Sequence, residues 1–275
     1  MNPTRARLAT GLDVGASPLS LKPLPIPADR AATTVADGME SREVKKLKRA
    51  LVVMATLAGM AALVPAQAAE AAPRATVGGG SGIVLNGNAR CTMTTVGHDR
   101  TGQLVGLTAG HCGPLGAPVT SERTPKAGVI GRVMAASPRM DVAVINLDQA
   151  RVRPVRQVGK ARIYKVGSYP RPHSNVCKQG RSTGFTCGPT LLFQGDATLN
   201  YVCSNHGDSG GPIISRGRVV GMLNGALRVA GPGTPSIACT NRNVPLHSPM
   251  IATKMTDILK TLNRVDTPGN GFRPI

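Results

Sequence analysis

The chain has 275 residues, with 33 Lys/Arg against 14 Asp/Glu and a formal net charge of +19. It carries 33 Gly and 22 Pro, aromatic residues make up only 2%, and there is no Trp. That balance excludes a coiled coil or a long-helix bundle and favours short strands joined by tight turns.

Residues 1–38 are rich in Pro, Ala and Thr without periodicity. They read as disordered, or as an over-called start ahead of Met39. From 39 to 72 the pattern is that of a secretory signal peptide. Lys45, Lys46, Lys48 and Arg49 form a positive head, Ala50–Val64 is an uncharged apolar run, and Ala66-Gln67-Ala68 and Ala69-Glu70-Ala71 are small-x-small cleavage sites. The apolar run of 15 residues falls short of the roughly 20 needed to span a bilayer. The expectation is therefore an exported, extracellular protein with no stable membrane anchor after cleavage behind Ala68 or Ala72.

From Pro73 onward the chain has 24 Lys/Arg and 8 Asp/Glu, a net charge of +16. The basic residues are scattered and no aromatic ladder separates them, which speaks for a basic surface rather than a specific nucleic-acid site. All six cysteines, Cys91, Cys112, Cys177, Cys187, Cys203 and Cys239, lie in this part. An even number in an exported chain points to disulfides. No His/Cys/Asp spacing argues for a metal, and no cofactor is expected.

Residues 73–275 read as one domain. Strand-like runs follow one another at Gly82–Leu85, Thr92–Val96, Gln103–Thr108, Gly128–Met134, Val142–Leu147, Ala161–Val166, Thr190–Phe193, Ala197–Tyr201, Pro212–Ser215, Arg218–Leu223 and Val244–Ser248. Gly, Pro, Asn and Asp separate them, the mark of an antiparallel barrel or sandwich. Ser248–Val265 departs from this pattern. Ile251, Met255, Ile258, Leu259 and Leu262 recur at helical spacing, with Ser248 as N-cap and Pro249 in the first turn. A Pro/Gly-rich tail begins at Asp266.

Two stretches carry chemistry. In Gly207-Asp208-Ser209-Gly210-Gly211-Pro212 a serine sits between glycines, a setting for a tight turn with an exposed hydroxyl. The amides of Gly207 and Ser209 can aim at one oxygen. Upstream, Thr108-Ala109-Gly110-His111-Cys112 places a histidine after a short apolar run. A histidine base needs a carboxylate to fix its tautomer. Asp141 abuts the apolar run Val142–Ile145, where a charge needs a partner; Asp99 and Asp148 sit in turn-like sequence. His98 and His173 read as surface residues, His247 as a pocket-wall residue, and His206 adjoins the proposed oxyanion loop.

The order TAGHC, DVAV and GDSGGP resembles the chymotrypsin-like serine proteases, and within them the secreted bacterial streptogrisin and alpha-lytic type, over roughly residues 78–265. The resemblance implies an all-β fold of two six-stranded antiparallel barrels with a C-terminal helix. It implies a triad of His111, Asp141 and Ser209, with the Gly207 and Ser209 amides as oxyanion donors. It pairs Cys91 with Cys112, Cys177 with Cys187, and Cys203 with Cys239. In bacterial relatives an arginine after the first cysteine of the small loop pairs with the aspartate before the nucleophile. Here Lys178 stands at that place opposite Asp208, with Arg181 as the rival partner. Relatives also have a serine that bonds the triad aspartate; here Asn224 stands in its position.

The function so implied is a secreted serine endopeptidase, a monomer acting on a peptide or protein substrate through an acyl-enzyme. The pocket would be lined by Ser204, Asn205 and His206, by Asn224, Gly225 and Ala226, and by residues near Val244. No carboxylate occurs in those stretches, so an apolar side chain is expected rather than Lys or Arg, with acidic substrates as the alternative. A different class of function is a catalytically silent, protease-shaped binding protein at the cell envelope.

Overall fold

The computed structural model describes residues 72–228 and 236–275. The segment 1–38 and the signal-peptide reading of 39–72, apart from Ala72, lie outside the described residues.

Two antiparallel sheets carry the fold. The first has the order Thr95–His98, Leu104–Ala109, Val142–Leu147, Val129–Ser137, Pro118–Ser121, Gly82–Leu85 and Ala89–Thr92, with Arg273–Pro274 added outside Thr95–His98. The chain passes from the Ala89–Thr92 rim to the Thr95–His98 rim through Met93 and Thr94, which join the two rims by a bend. The second has the order Arg218–Ala226, Pro212–Ser215, Asn175–Gly180, Gly184–Gln194, Ala197–Asn200 and Met250–Lys254. Its last strand pairs back onto the first, closing a six-stranded barrel. Lys165–Val166 attaches outside, parallel to Arg218–Val219.

The nearly continuous apolar runs at Leu104–Ala109 and Val142–Leu147, broken by a polar side chain only at Thr108 and Asn146, have a packing reason. Leu104, Ala109, Ala143, Ile145 and Leu147 point into the core of the first sheet. Val105, Leu107, Val142 and Val144 point the other way, into a cluster shared with Ile163, Ile214, Val219, Met222 and the helix residues Met255, Ile258 and Leu262. A strand buried on both faces reads as continuous hydrophobicity rather than alternation. Each such Val, Leu or Ile side chain taken out of water contributes about 1.5–3 kcal/mol, so these two strands are the rigid mount for whatever stands at their ends.

Several sequence expectations are corrected. The helix spans only Met255–Leu262, with Lys254 rather than Ser248 at its N-cap. Met250–Lys254 is a strand, because it has ladder partners on both sides, Ala197–Asn200 and Gly221–Ala226. Val244–Ser248 forms no strand; Pro245 and Pro249 lack the amide a ladder needs. Thr92–Val96 is broken at the bend, and Ala161–Val166 is two short strands of two residues each. The strand Asn175–Gly180 lies outside the runs expected from sequence because Asn, Lys and Gln interrupt its apolar pattern.

Candidate active site

His111 lies in a single 3-10 turn, Gly110–Cys112, directly after the strand Leu104–Ala109. Asp141 directly precedes the strand Val142–Leu147. The register pairs Ala109 with Val142, so the two residues meet at the same end of neighbouring strands. The Gly110 amide donates to the Asp141 carbonyl at 2.9 Å. A Cβ on Gly110 would come within 3.1 Å of the Asp141 backbone, which is why the turn takes glycine. Asp141 has φ 46°, a left-handed conformation that Asp tolerates better than most residues.

The Asp141 carboxylate is surrounded by donors. Oδ1 accepts from the His111 amide at 2.8 Å. His111 Nδ1 lies 2.9 Å from Oδ2 and 3.1 Å from Oδ1. A proton on Nδ1 is what this carboxylate favours, and that leaves Nε2 as the acceptor. The hydrogen bond to Asp141 raises the pKa of His111 above its ordinary value, against the opposing effect of burial. Burial alone would raise Asp141; the hydrogen bonds from His111 and Asn224 outweigh it and hold the carboxyl below its ordinary range.

Asn224 completes the set. Its Nδ2 donates to Asp141 Oδ2 at 2.8 Å and to the Asp141 carbonyl at 3.1 Å. Its Oδ1 accepts from the Thr253 amide at 2.9 Å and the Thr253 hydroxyl at 2.8 Å. With donors on one side and acceptors on the other, the amide has one orientation. Thr253 is a residue that sequence reasoning missed, since nothing local marks a threonine 29 residues away as the partner.

Ser209 sits in the loop between Val202 and the strand Pro212–Ser215. Gly207 and Gly210 have φ 91° and 81°. Three carbonyls of the loop are held from the first sheet. Thr92 Oγ1 donates to Gly207 O at 2.8 Å, the Thr92 amide to Ser209 O at 2.8 Å, and Thr94 Oγ1 to Gly210 O at 2.6 Å. Among the described residues, the amides of Gly207 and Ser209 donate to no protein group. Ser209 Oγ donates to the Asn224 carbonyl at 3.5 Å, and no hydrogen bond joins it to His111. Both nevertheless line one cleft of about 380 Å³, together with Ser204, Asn205, His206, Asn224, Gly225 and Ala226. Leu223 and Met250 form its apolar lining, and Arg228 stands at its rim. Val244 and His247 are not part of it; His247 stacks on Tyr201 with ring centroids 4.4 Å apart.

Behind the loop, Asp208 and Lys178 are both fully buried, with Nζ 3.0 Å from Oδ2. Asp208 also accepts from the amides of Ser182 (2.8 Å), Thr183 (3.2 Å) and Asn205 (3.1 Å), from Ser204 Oγ and from Thr183 Oγ1. Burial opposes its charge, but Lys178 and these donors prevail and hold its carboxyl below the ordinary range. Arg181, the rival partner, turns instead to Glu122, donating from Nε to Oε2 at 2.7 Å and from Nη2 to Oε1.

Cys91–Cys112, Cys177–Cys187 and Cys203–Cys239 are bonded. Cys177 and Cys187 face each other across the hairpin that carries Lys178. His111 lies beside Cys91 and Cys112, but sulfurs joined to each other offer no thiolate to a metal.

No protein-family model matches the chain. Streptogrisin-C of Streptomyces griseus is 29% identical over 166 residues, which is 55% of this chain and 35% of that protein. The match thus spans about a third of the curated relative's length. Among solved structures, Thermobifida fusca protease A superposes with a TM-score of 0.53 at 22% identity, covering 69% of this chain and 97% of that one. Cellulomonas bogoriensis chymotrypsin gives 0.52 at 23% identity, covering 73% and 99%. The chain has the chymotrypsin-like fold, and it is similar to the bacterial serine proteases built on it.

Proposed function

We propose that this protein is an exported serine endopeptidase. The observation that carries the reading is the convergence at one cleft. There a histidine has its Nδ1 held by a half-buried carboxylate, a serine stands on a glycine turn, and two backbone amides have no partner among the described residues. Ser209 Oγ attacks the peptide carbonyl while His111 Nε2 accepts its proton, and Asp141 stabilises the imidazolium. The oxygen that gains charge is met by the Gly207 and Ser209 amides. His111 then gives the proton to the leaving amine, and water hydrolyses the ester to Ser209 by the same steps in reverse. The resting distance between Ser209 and His111 shortens when substrate fills the cleft, as apo sites commonly do.

The cleft supports an apolar side chain on the acyl side of the scissile bond. Its interior is Leu223, Ala226, Ala238 and Met250, and among its lining residues there is no carboxylate. His206 and Arg228 at the rim disfavour Lys or Arg further. No helix among the described residues is long and apolar enough to cross a membrane.

A fluorophosphonate probe tests the reading and separates it from a silent binding protein. The protein should label on the peptide containing Ser209, and Ser209→Ala should remain folded and unlabelled. A Ser209→Ala protein that hydrolyses peptides at the wild-type rate would sink the assignment.

A further inference from the structure

The tip of the Cys177–Cys187 hairpin does more than hold Asp208. Arg181 reaches across to the first sheet and pairs with Glu122 through two nitrogens. Its third nitrogen, Nη1, donates to Ser182 Oγ at 3.0 Å. That leaves the Ser182 hydroxyl proton free to donate elsewhere, and it goes to the His206 carbonyl at 2.6 Å. In a trans peptide the C=O and N–H point in opposite directions. Pinning the His206 oxygen therefore sets where the Gly207 N–H points.

We infer that Glu122, Arg181 and Ser182 form a positioning relay that aims the Gly207 N–H at the developing oxyanion; this rests on the serine-peptidase reading. The relay answers a need built into the loop. Gly207, with φ 91°, has no side chain to resist a peptide flip. His206 is exposed, so water competes for its carbonyl in either orientation. A flipped peptide would turn the His206 oxygen into the place where the oxyanion forms. The flanking groups are already fixed: the His206 amide donates to Asn205 Oδ1 at 2.7 Å, and Gly207 O accepts from Thr92 Oγ1 at 2.8 Å. Only the peptide between them is left to Ser182. The loop lies directly on the relay, since a Cβ at Gly207 would meet Ser182 Oγ at 2.6 Å and Arg181 Nη1 at 2.7 Å. Arg181 is the right residue for the middle position, because its planar fork satisfies a carboxylate with two nitrogens and keeps a third for the hydroxyl.

Loss of an oxyanion donor outright costs about 10²–10³ in kcat; a loop that samples both orientations loses less. Ser182→Ala should lower kcat about tenfold with KM little changed, and weaken a peptide boronate, which forms the tetrahedral adduct, by a similar factor. Ser182→Thr should restore both, since residue 182 is exposed and has room for a methyl group. Glu122→Gln should act in the same direction more weakly. Crystal structures of the wild type and Ser182→Ala provide a readout free of activity: the His206 carbonyl should turn inward in a substantial fraction of the variant. A carbonyl that stays outward in Ser182→Ala overturns the relay, whatever the kinetics. A wild type that neither labels nor cleaves peptides overturns the peptidase reading, while the carbonyl direction still decides the relay.

Discussion

At the scale of single residues, Asp141 is held through both its carboxylate and its backbone carbonyl. It accepts from two nitrogens of His111 and from Asn224, and its own carbonyl accepts from Gly110 and Asn224. Asp141→Asn would have a single oxygen for three donors and would set an NH₂ against another. The imidazole must then turn or take the wrong tautomer, which lowers turnover by about 10⁴ in a triad of this design. The same change removes the bond that raises His111, so its pKa should fall back. In the wild type the rate should climb with pH as His111 loses its proton, with the midpoint above the ordinary histidine value. NMR titration of the His111 ring in both proteins checks the sign. His111, Asp141 and Ser209 were legible in the sequence as candidates because each stands in a distinctive local setting. Asn224 was nameable as a partner for Asp141; Thr253 was not, since its role exists only through the pairing of Met222 with Thr253 across two strands.

At the scale of elements, the hairpin Asn175–Gln194 is the piece that propensity reading handles worst. Its first strand places Lys178 inward, where sequence pattern expects an apolar residue, and the strand accordingly reads as loop. The burial makes sense only once Asp208, from 30 residues further on, is in place. Lys178→Met should leave that carboxylate buried with only hydroxyl and amide donors. Loss of one member of a buried pair costs about 3–5 kcal/mol, and the remaining donors to Asp208 place the expected cost near the lower figure. Urea unfolding measures it; a change under about 1 kcal/mol would mean that the pair behaves as an exposed one. The helix shows the opposite error. Ile251 and Met255 keep helical spacing with Ile258 and Leu262, yet residues before Met255 belong to the barrel. Period alone does not see that a strand partner competes for the same backbone, and strand pairing wins where two neighbours are available. By contrast Gly82–Leu85, Val142–Leu147 and Pro212–Ser215 coincide with the strands read from sequence, because turn residues bracket each of them.

At the scale of the whole molecule, the acidic residues that are paired set the response to pH. Asp208, Asp141, Glu122 and Asp99 all have carboxyls held below their ordinary range. Burial works against the charge of each, and for Glu122 the Arg181 hydrogen bond is the largest influence. A folded-state pKa below the unfolded one means that the unfolded chain binds protons first on acidification. The stability these groups contribute is present above the ordinary carboxylate range and is lost as pH falls through and below it. Thermal melts should be flat from neutrality down to about pH 5 and then drop steeply. A melting temperature unchanged at pH 3 would count against these pairings.

The threonines at the bend between Ala89–Thr92 and Thr95–His98 have a consequence for the stage of folding at which the proposed peptidase site comes into being. Thr92 and Thr94 grip the carbonyls of Gly207, Ser209 and Gly210 from more than a hundred residues away. Neither half of the chain therefore contains a finished cutting edge. The N-terminal half leaves the ribosome first, with His111 and Asp141 but nothing for them to activate. The loop of Ser209 arrives later; Lys178 and Ser182 hold it from its own side, and docking against the earlier half completes its shape. On the serine-peptidase reading, a chain that has not completed its fold lacks a finished site, so activity is expected only from molecules in which the two halves have docked.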